Sequence, residues 1–244
     1  MIVLGINAYH GDASAVLLRD GEMVAAVEEE RFRRVKHCAG FPGESVRACL
    51  NIAKVAGEEV DHFAISRNPR ANLLRKARFA LSNRPRLESV KARVENTVRV
   101  REVGDRIGET LGLDRARVRQ RMHWVEHHPA HLASTFFVSP YEEAGVCAID
   151  GFGDFVSTSW AVGRGSKLNV MRRTYFPHSL GLLYLAITQY LGFWKYGDEF
   201  KVMGLPHTAT LGSSLKFENC CVCSRMARSS SICRASVTGP KARP

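Results

Sequence analysis

Apolar residues in the first thirty positions come in three short bursts, IVLGI (2–6), SAVLLR (14–19) and MVAAVEE (23–29). Each burst predicts a β-strand. The Asp20-Gly21 pair between the last two is a tight-hairpin signal, because both residues tolerate a left-handed backbone. The spacing then lengthens to a helical one: Glu44, Val46, Ala48, Cys49, Ile52 and Ala53 follow Pro42, and Gly57 ends the helix. HFAIS (62–66) predicts a buried strand. From 70 to 112, Leu73, Leu74, Ala77, Phe79, Leu81, Leu87, Val90, Val94 and Val98 recur at helical spacing among charges, with a break near Pro85. MHWVE (122–126) predicts a short strand, and a helix follows over 128–138.

The pattern then repeats. GVCAID (145–150), VSTSWAV (156–162) and LNVMRRTY (168–175) predict three strands, the last reached through Gly163-Arg164-Gly165, and SLGLLYLAITQYLG (179–192) predicts a helix. A strand, an acidic glycine turn, two strands and a helix thus occur twice, which predicts a duplicated fold. The turns are His10-Gly11-Asp12-Ala13-Ser14 and Gly151-Phe152-Gly153-Asp154. Glycine lets backbone N–H groups approach an anion, since no Cβ stands in the way. An aspartate beside phosphate needs an intervening cation, so Asp12 and Asp154 point to Mg²⁺ or a hydrated metal. Two such turns across a cleft would clamp a phosphate. The plainer alternative is two ordinary hairpins, because Gly and Asp dominate turns.

EHHPAHLAS (126–134) crowds three histidines into five positions. His127 and His131 lie four apart and share a face of a helix. Pro129 is tolerated only in a first turn, which puts His127 at the helix entrance. Two imidazoles suit a transition metal better than Mg²⁺ or Ca²⁺, and a third donor, a carboxylate, is needed to complete the site. His128 points elsewhere. The alternative is a pair of ordinary histidines.

Composition narrows the class. The 244 residues are 45% hydrophobic, enough for one large domain or two lobes. No run of apolar residues is long enough to span a membrane, and the first residues lack a secretory pattern, so a cytoplasmic protein is expected. The net charge of +11 suggests nucleic acid at first sight. Residues 67–121, however, hold 16 Lys/Arg and 6 acids mixed with apolar residues at helical spacing, as in a solvated helical face. Phe79 is the one aromatic there, so a nucleic-acid interface is not expected. Cys38, Cys49 and Cys147 are scattered, as reduced thiols in a cytosol are. Cys220, Cys221, Cys223 and Cys233 fall in a serine-rich end (211–244) without hydrophobic period or paired CxxC, which reads as a disordered tail rather than a metal site.

The blocks GINAYHGDASAVLL, EEERFRRVKHCAGFP, EHHPAHLASTFF, AIDGFGDFVSTSW and SLGLLYLAITQYLGFWKYGDEFKVMGLP occur in the order found in the O-carbamoyltransferases of nodulation and antibiotic tailoring, and the sequence resembles that family over residues 2–207. The resemblance implies an α/β, actin-like (ribonuclease-H-like) duplicated mixed-sheet fold. Residues 1–144 would form the first lobe and 145–210 the start of an incomplete second lobe. It implies an enzyme that moves a carbamoyl group from carbamoyl phosphate, through a carbamoyl-adenylate made with ATP and Mg²⁺, to a hydroxyl of a small molecule. His127 and His131 match the family's metal-binding histidines, with Fe²⁺ or another divalent transition metal implied. Gly11, Ser14, Asp150, Gly151, Gly153 and Asp154 match nucleotide-facing loops. His10, Asp12 and Lys36 match recurrent catalytic-motif positions. The family reads GHDAS at the first turn where this chain has HGDAS, which displaces the histidine. The family's further lobe, last metal ligand and activating domain are not in these residues, so a truncated fragment is expected, with Leu182, Leu183, Ile187 and Leu191 partly exposed. Other expectations are an inactive remnant that only binds nucleotide or metal, a basic nucleic-acid module, and an actin-like sugar kinase.

Overall fold

The computed structural model describes residues 1–83 and 95–205. Strands form where the alternation predicts them: β1 (Ile2–Asn7), β2 (Ser14–Arg19) and β3 (Glu22–Glu28). β2 runs antiparallel to both neighbours, and Asp20 and Gly21 turn the hairpin with φ of 53° and 88°. That left-handed pair matches the twist of the strands it joins. β4 (His62–Ile65) and β5 (Met122–Trp124) add on parallel to β1, giving the order β3-β2-β1-β4-β5.

Parallel strands need crossovers, and these carry the helices. The first has α1 (Glu30–Arg33) and α2 (Gly43–Ala53). The second has α3 (Leu73–Asn83), α4 (Val103–Leu111) and α5 (Arg115–Gln120). Alternate strand residues Leu4, Ile6, Ala15, Leu17, Phe63 and Ile65 bury against Val46, Cys49 and Leu50 of α2, Ile107 of α4 and Val118 of α5. The helix α5 is absent from the expectation above. Its signal is Asp114, whose side chain accepts from the Arg117 amide as an N-cap. The basic stretch behaves as a solvated face: Arg106 and Arg115 pair with Glu109, and Arg119 with Asp105 at 2.7 Å. Pro85, Leu87, Val90, Val94 and the whole of 211–244 with its four cysteines lie outside the described residues.

The second sheet is an antiparallel meander of β6 (Glu143–Gly153), β7 (Val156–Arg164) and β8 (Lys167–Tyr175). Arg164 pairs with Lys167, so the turn is Gly165-Ser166 rather than the Gly163-Arg164-Gly165 read from sequence. Gly163 lies within β7, where a Cβ would meet the Phe136 ring at 2.5 Å. The helix α6 (His127–Phe136) starts beside β5 of the first sheet, yet buries Leu132 and Phe136 against Val146 and Ala161 of the second. It therefore spans the junction of the two sheets. After β8, α7 (Leu180–Tyr190) has Ser179 as N-cap, with Leu183 and nearby Leu191 exposed and Leu182 and Ile187 half-buried. The class is the expected mixed α/β, and the order and sense of the first sheet are the ribonuclease-H-like plan of the actin-like fold.

The chain divides into two units after Glu199, and the described residues up to there form one compact unit. Of the second, residues 200–205 are described, within or just after α8 (Glu199–Gly204). No helix among the described residues is long and apolar enough to cross a membrane.

One buried charge fixes the first crossover. α2 begins after Pro42 without a capping side chain of its own. Glu29, 1% exposed, supplies the cap from the end of β3. Its carboxylate accepts from the Ser45 amide and hydroxyl, both at 2.9 Å, from the Glu44 amide at 3.4 Å, and from Arg33 Nε at 3.1 Å. Burial pushes its pKa up, but these donors together win and hold it below the usual value. The charged form is thus the one the fold prefers, so its contribution is present above the ordinary glutamate range and is lost as pH falls through the lowered folded value. Glu29→Gln is expected to cost about 2 kcal/mol at neutral pH, the size of a hydrogen bond to a charged group. Urea midpoints against pH should show the variant and wild type converging in acid; equal midpoints at neutral pH would contradict this account.

Candidate metal centre

Three donor atoms converge where α6 meets the second sheet. His127 Nε2 lies 3.0 Å from Asp150 Oδ2 and 2.9 Å from His131 Nε2, while His131 Nε2 lies 3.9 Å from Asp150 Oδ2. All three fall within 4.8 Å of one another, and they are the one such group of His, Cys or acidic residues among the described residues. The i, i+4 spacing brings the two rings together on one face, as the sequence predicts, with Pro129 in the first turn. The carboxylate comes from a register shift between Ile149 and Gly153 in β6. A bulge there re-aims side chains that regular pairing would alternate across the sheet. A third donor atom, expected from family sequence beyond this chain, stands here at Asp150, which the resemblance assigns to a nucleotide-facing loop.

Each donor is held from behind. His127 Nδ1 faces the Ser66 carbonyl at 3.3 Å. A carbonyl only accepts, so Nδ1 carries a hydrogen, and Nε2 is left to meet Asp150 and His131. Asp150 Oδ1 takes the Gly151 amide at 2.6 Å, leaving Oδ2 to the histidines. Ser179 Oγ donates to the carbonyls of Asp150 and Gly151, fixing the bulge to the start of α7. Gly181 lets that helix approach, since a Cβ there would lie 2.5 Å from the Gly151 nitrogen. Gly153 does the same for the metal helix: a Cβ would fall 2.1 Å from the His127 ring. Its glycine is required by an imidazole, whatever an anion may add.

The charge balance favours a cation. The hydrogen bond from His127, helped by the Gly151 amide and opposed by burial, holds the Asp150 carboxyl down to about 2. Burial, then the neighbouring His127, lowers the affinity of His131 for a proton. Two ring nitrogens and a carboxylate thus face one another, and a proton can satisfy only part of the set. Two histidines and one carboxylate are the donor set of open non-haem Fe²⁺ sites, and the Ser66 contact is the outer support that metal-binding histidines carry. The residues fit a divalent transition metal. His128 takes no part: it is buried, with Nε2 on the Val156 carbonyl at 2.9 Å, and burial pushes it down to about 4.

The other predicted residues divide. Asp154, in a left-handed conformation, accepts with Oδ2 from the amides of Asn68 and His127, at 2.9 and 3.0 Å, and so secures the start of α6. His10 is exposed, its ring centroid 5.7 Å from that of His127. Asp12 meets His37 at 2.9 Å, and the Asn7 amide holds the carbonyls of Gly11 and Asp12. Gly11 lies under the Tyr196 hydroxyl, and Ser14 opens β2 near Asn7. Lys36 is exposed, and its neighbour His37 is the one turned to Asp12. His37 and Tyr196 lie in quoted motif blocks but went unassigned, because neither spacing nor composition marks them.

The Carbamoyltransferase N-terminus family matches residues 2–218. An uncharacterized protein of Synechocystis sp. is 38% identical over 208 residues, which are 83% of this chain and 34% of that protein. Nodulation protein NolNO of Sinorhizobium fredii is 34% identical over 200 residues, 82% of this chain and 28% of its own length. The chain thus spans about a third of the length of these curated relatives. Among solved structures, YeaZ from Pseudomonas aeruginosa superposes with a TM-score of 0.39 at 17% identity, over 72% of this chain and 67% of that one, too loose a fit to carry an argument. The match over nearly the whole described chain, to which the bulged aspartate and paired histidines contribute their blocks, places this protein in the carbamoyltransferase N-terminus family.

Proposed function

We propose that this chain carries the acyl-transfer site of a carbamoyltransferase that acts on a hydroxyl of a small molecule. The observation that supports the reading best is the convergence of His127, His131 and Asp150, in a chain of that family, at the junction of two sheets. In this reading the donor is a carbamoyl-adenylate formed from carbamoyl phosphate with ATP and Mg²⁺. AMP is a good leaving group, so what remains is to position the hydroxyl, take its proton and stabilise the oxyanion.

His127, His131 and Asp150 would hold Fe²⁺ or another divalent transition metal. When bound, such an ion supplies a Lewis acid for a carbonyl or phosphoryl oxygen. The chain's own contribution is preorganisation. Ser66 sets the tautomer of His127, Asp154 secures the helix start, and Ser179 fixes the bulge that carries Asp150. The turn 8–13 and the bulge 150–153 are the stretches an anionic donor would approach, as a phosphate clamp requires.

Three outcomes are expected. Supplied carbamoyl-adenylate and glycerol should give AMP and carbamoylated glycerol with the Fe²⁺-loaded chain, and His131→Ala should remove this turnover together with the metal. Full turnover in that variant, or metal binding with no turnover in wild type, would contradict the reading. Gly153→Ala changes no donor but intrudes on the His127 ring; it should weaken metal affinity about 10- to 100-fold, as loss of an outer support does. In equilibrium dialysis the affinity should also fall in acid, below the ordinary imidazole range, because protons then compete for His131, whose pKa burial and the neighbouring His127 lower, while Asp150 remains ionised down to about 2.

A further inference from the structure

A second pair of titratable side chains stands at the first turn, outside the metal donors. His37 has a left-handed backbone (φ 54°), and its Nδ1 lies 2.9 Å from Asp12 Oδ1. A carboxylate only accepts, so Asp12 keeps the hydrogen on Nδ1 and leaves a lone pair on Nε2. That nitrogen faces Gly197, where a Cβ would lie 2.3 Å from it. A side chain at 197 would collide with Nε2, and the left-handed φ of 82° also favours glycine there.

Both partners are fixed by backbone contacts. The Asn7 side-chain amide donates to the carbonyls of Gly11 and Asp12 at 3.1 and 2.9 Å. The amides of Tyr9 and Ala13 donate to the carbonyls of Gly40 and Cys38, both at 2.9 Å, so the turn and the segment after His37 are stitched on either side of the pair. Tyr196 closes it from above. Its ring meets that of His37 edge-on, with centroids 5.4 Å apart, and its hydroxyl lies over Gly11. Burial, then the charges of Asp12 and Asp150, raise the Tyr196 pKa, so a neutral phenol sits within the field of both the pair and the metal donors. Asp12 and Tyr196 are the titratable groups that face His37.

We propose that His37 is the general base of the transfer, oriented by Asp12. The inference rests on the carbamoyl-transfer reading above. The acceptor hydroxyl gives its proton to His37 Nε2 as its oxygen bonds to the carbamoyl carbon. The bond from that carbon to the phosphate oxygen breaks, and AMP departs with the electron pair. The carboxylate–imidazole order is that of hydrolytic triads, with the acceptor hydroxyl in place of the serine. Asp12 is thereby a positioning residue rather than the base. Among the described residues His10 has no carboxylate partner of this kind; its Nδ1 faces the Gly11 carbonyl at 3.4 Å.

The test uses the Fe²⁺-loaded full chain with carbamoyl-adenylate and glycerol, and reads AMP release. His37→Ala should lower the rate about 100-fold or more while metal content stays the same, as removal of a general base does. Added imidazole should restore much of the loss, a rescue that a structural role would not give. An unchanged rate, or a lost rate that imidazole does not restore, would overturn the proposal. A second readout is independent of turnover: ¹⁵N spectra of imidazole-labelled protein should show His37 with Nδ1 protonated and Nε2 bare, and Asp12→Asn should disturb that tautomer. If wild type releases no AMP, the carbamoyl-transfer reading falls. Nε2 protonated and Nδ1 bare would overturn the dyad whatever the turnover.

Discussion

The start of helix α6 depends on one carboxylate. Asp154, at the end of the β6 bulge, accepts with the same oxygen from the amide of Asn68, just beyond β4, and from that of His127. An anion at a helix N-terminus is favoured by the exposed amides and the helix dipole, and this one also joins two sheets. Without it the helix could still pack Leu132 and Phe136 on the second sheet, but its first turn would be left with the Ser66 contact of His127 and the short link from β5 as its ties to the first. Everything at the metal centre follows from that placement: His127 reaches Ser66 on one side and Asp150 on the other because its backbone is held between them.

The glycines beside the site show a second constraint, which is space. Gly153 and Gly181 are not left-handed; they stand where an imidazole ring or a backbone presses close. The left-handed positions at the two acidic turns are instead taken by Tyr9 and Asp12 in the first and by Asp154 and Phe155 in the second. Aspartate can afford that backbone where its side chain or its neighbours make local hydrogen bonds. The glycines thus admit side chains from elsewhere in the fold, and the aspartates help carry the bends.

Much of the fold was legible because strand alternation, the Asp20-Gly21 hairpin and the first-turn Pro129 are local signals. The pairing of His127 with His131 was legible for the same reason, being a matter of helical period. What was hidden depends on chain returning from a distance. Glu29 reads as the end of a strand, and only the fold shows it capping α2. Asp150 reads as a loop acid, because a bulge cannot be inferred from apolar pattern. The family motif reads Asp154 as facing a nucleotide, and in the structure its carboxylate accepts from two amides. His37 was passed over for Lys36, since nothing in RVKH says which of two neighbours turns inward. Helix α5 was missed although Asp114 announces it, because the arginines around it dilute its apolar period.

The central claim is that the two rings and the bulged carboxylate share one ion. Anomalous diffraction from crystals grown with Fe²⁺, recorded on either side of the iron edge, tests it most directly. The account predicts a single peak bonded to Nε2 of both His127 and His131 and to Asp150, at about 2.0–2.2 Å from each, as for nitrogen and carboxylate donors on a first-row metal. A peak elsewhere on the chain, or none there with the three side chains ordered as they are now, would contradict it.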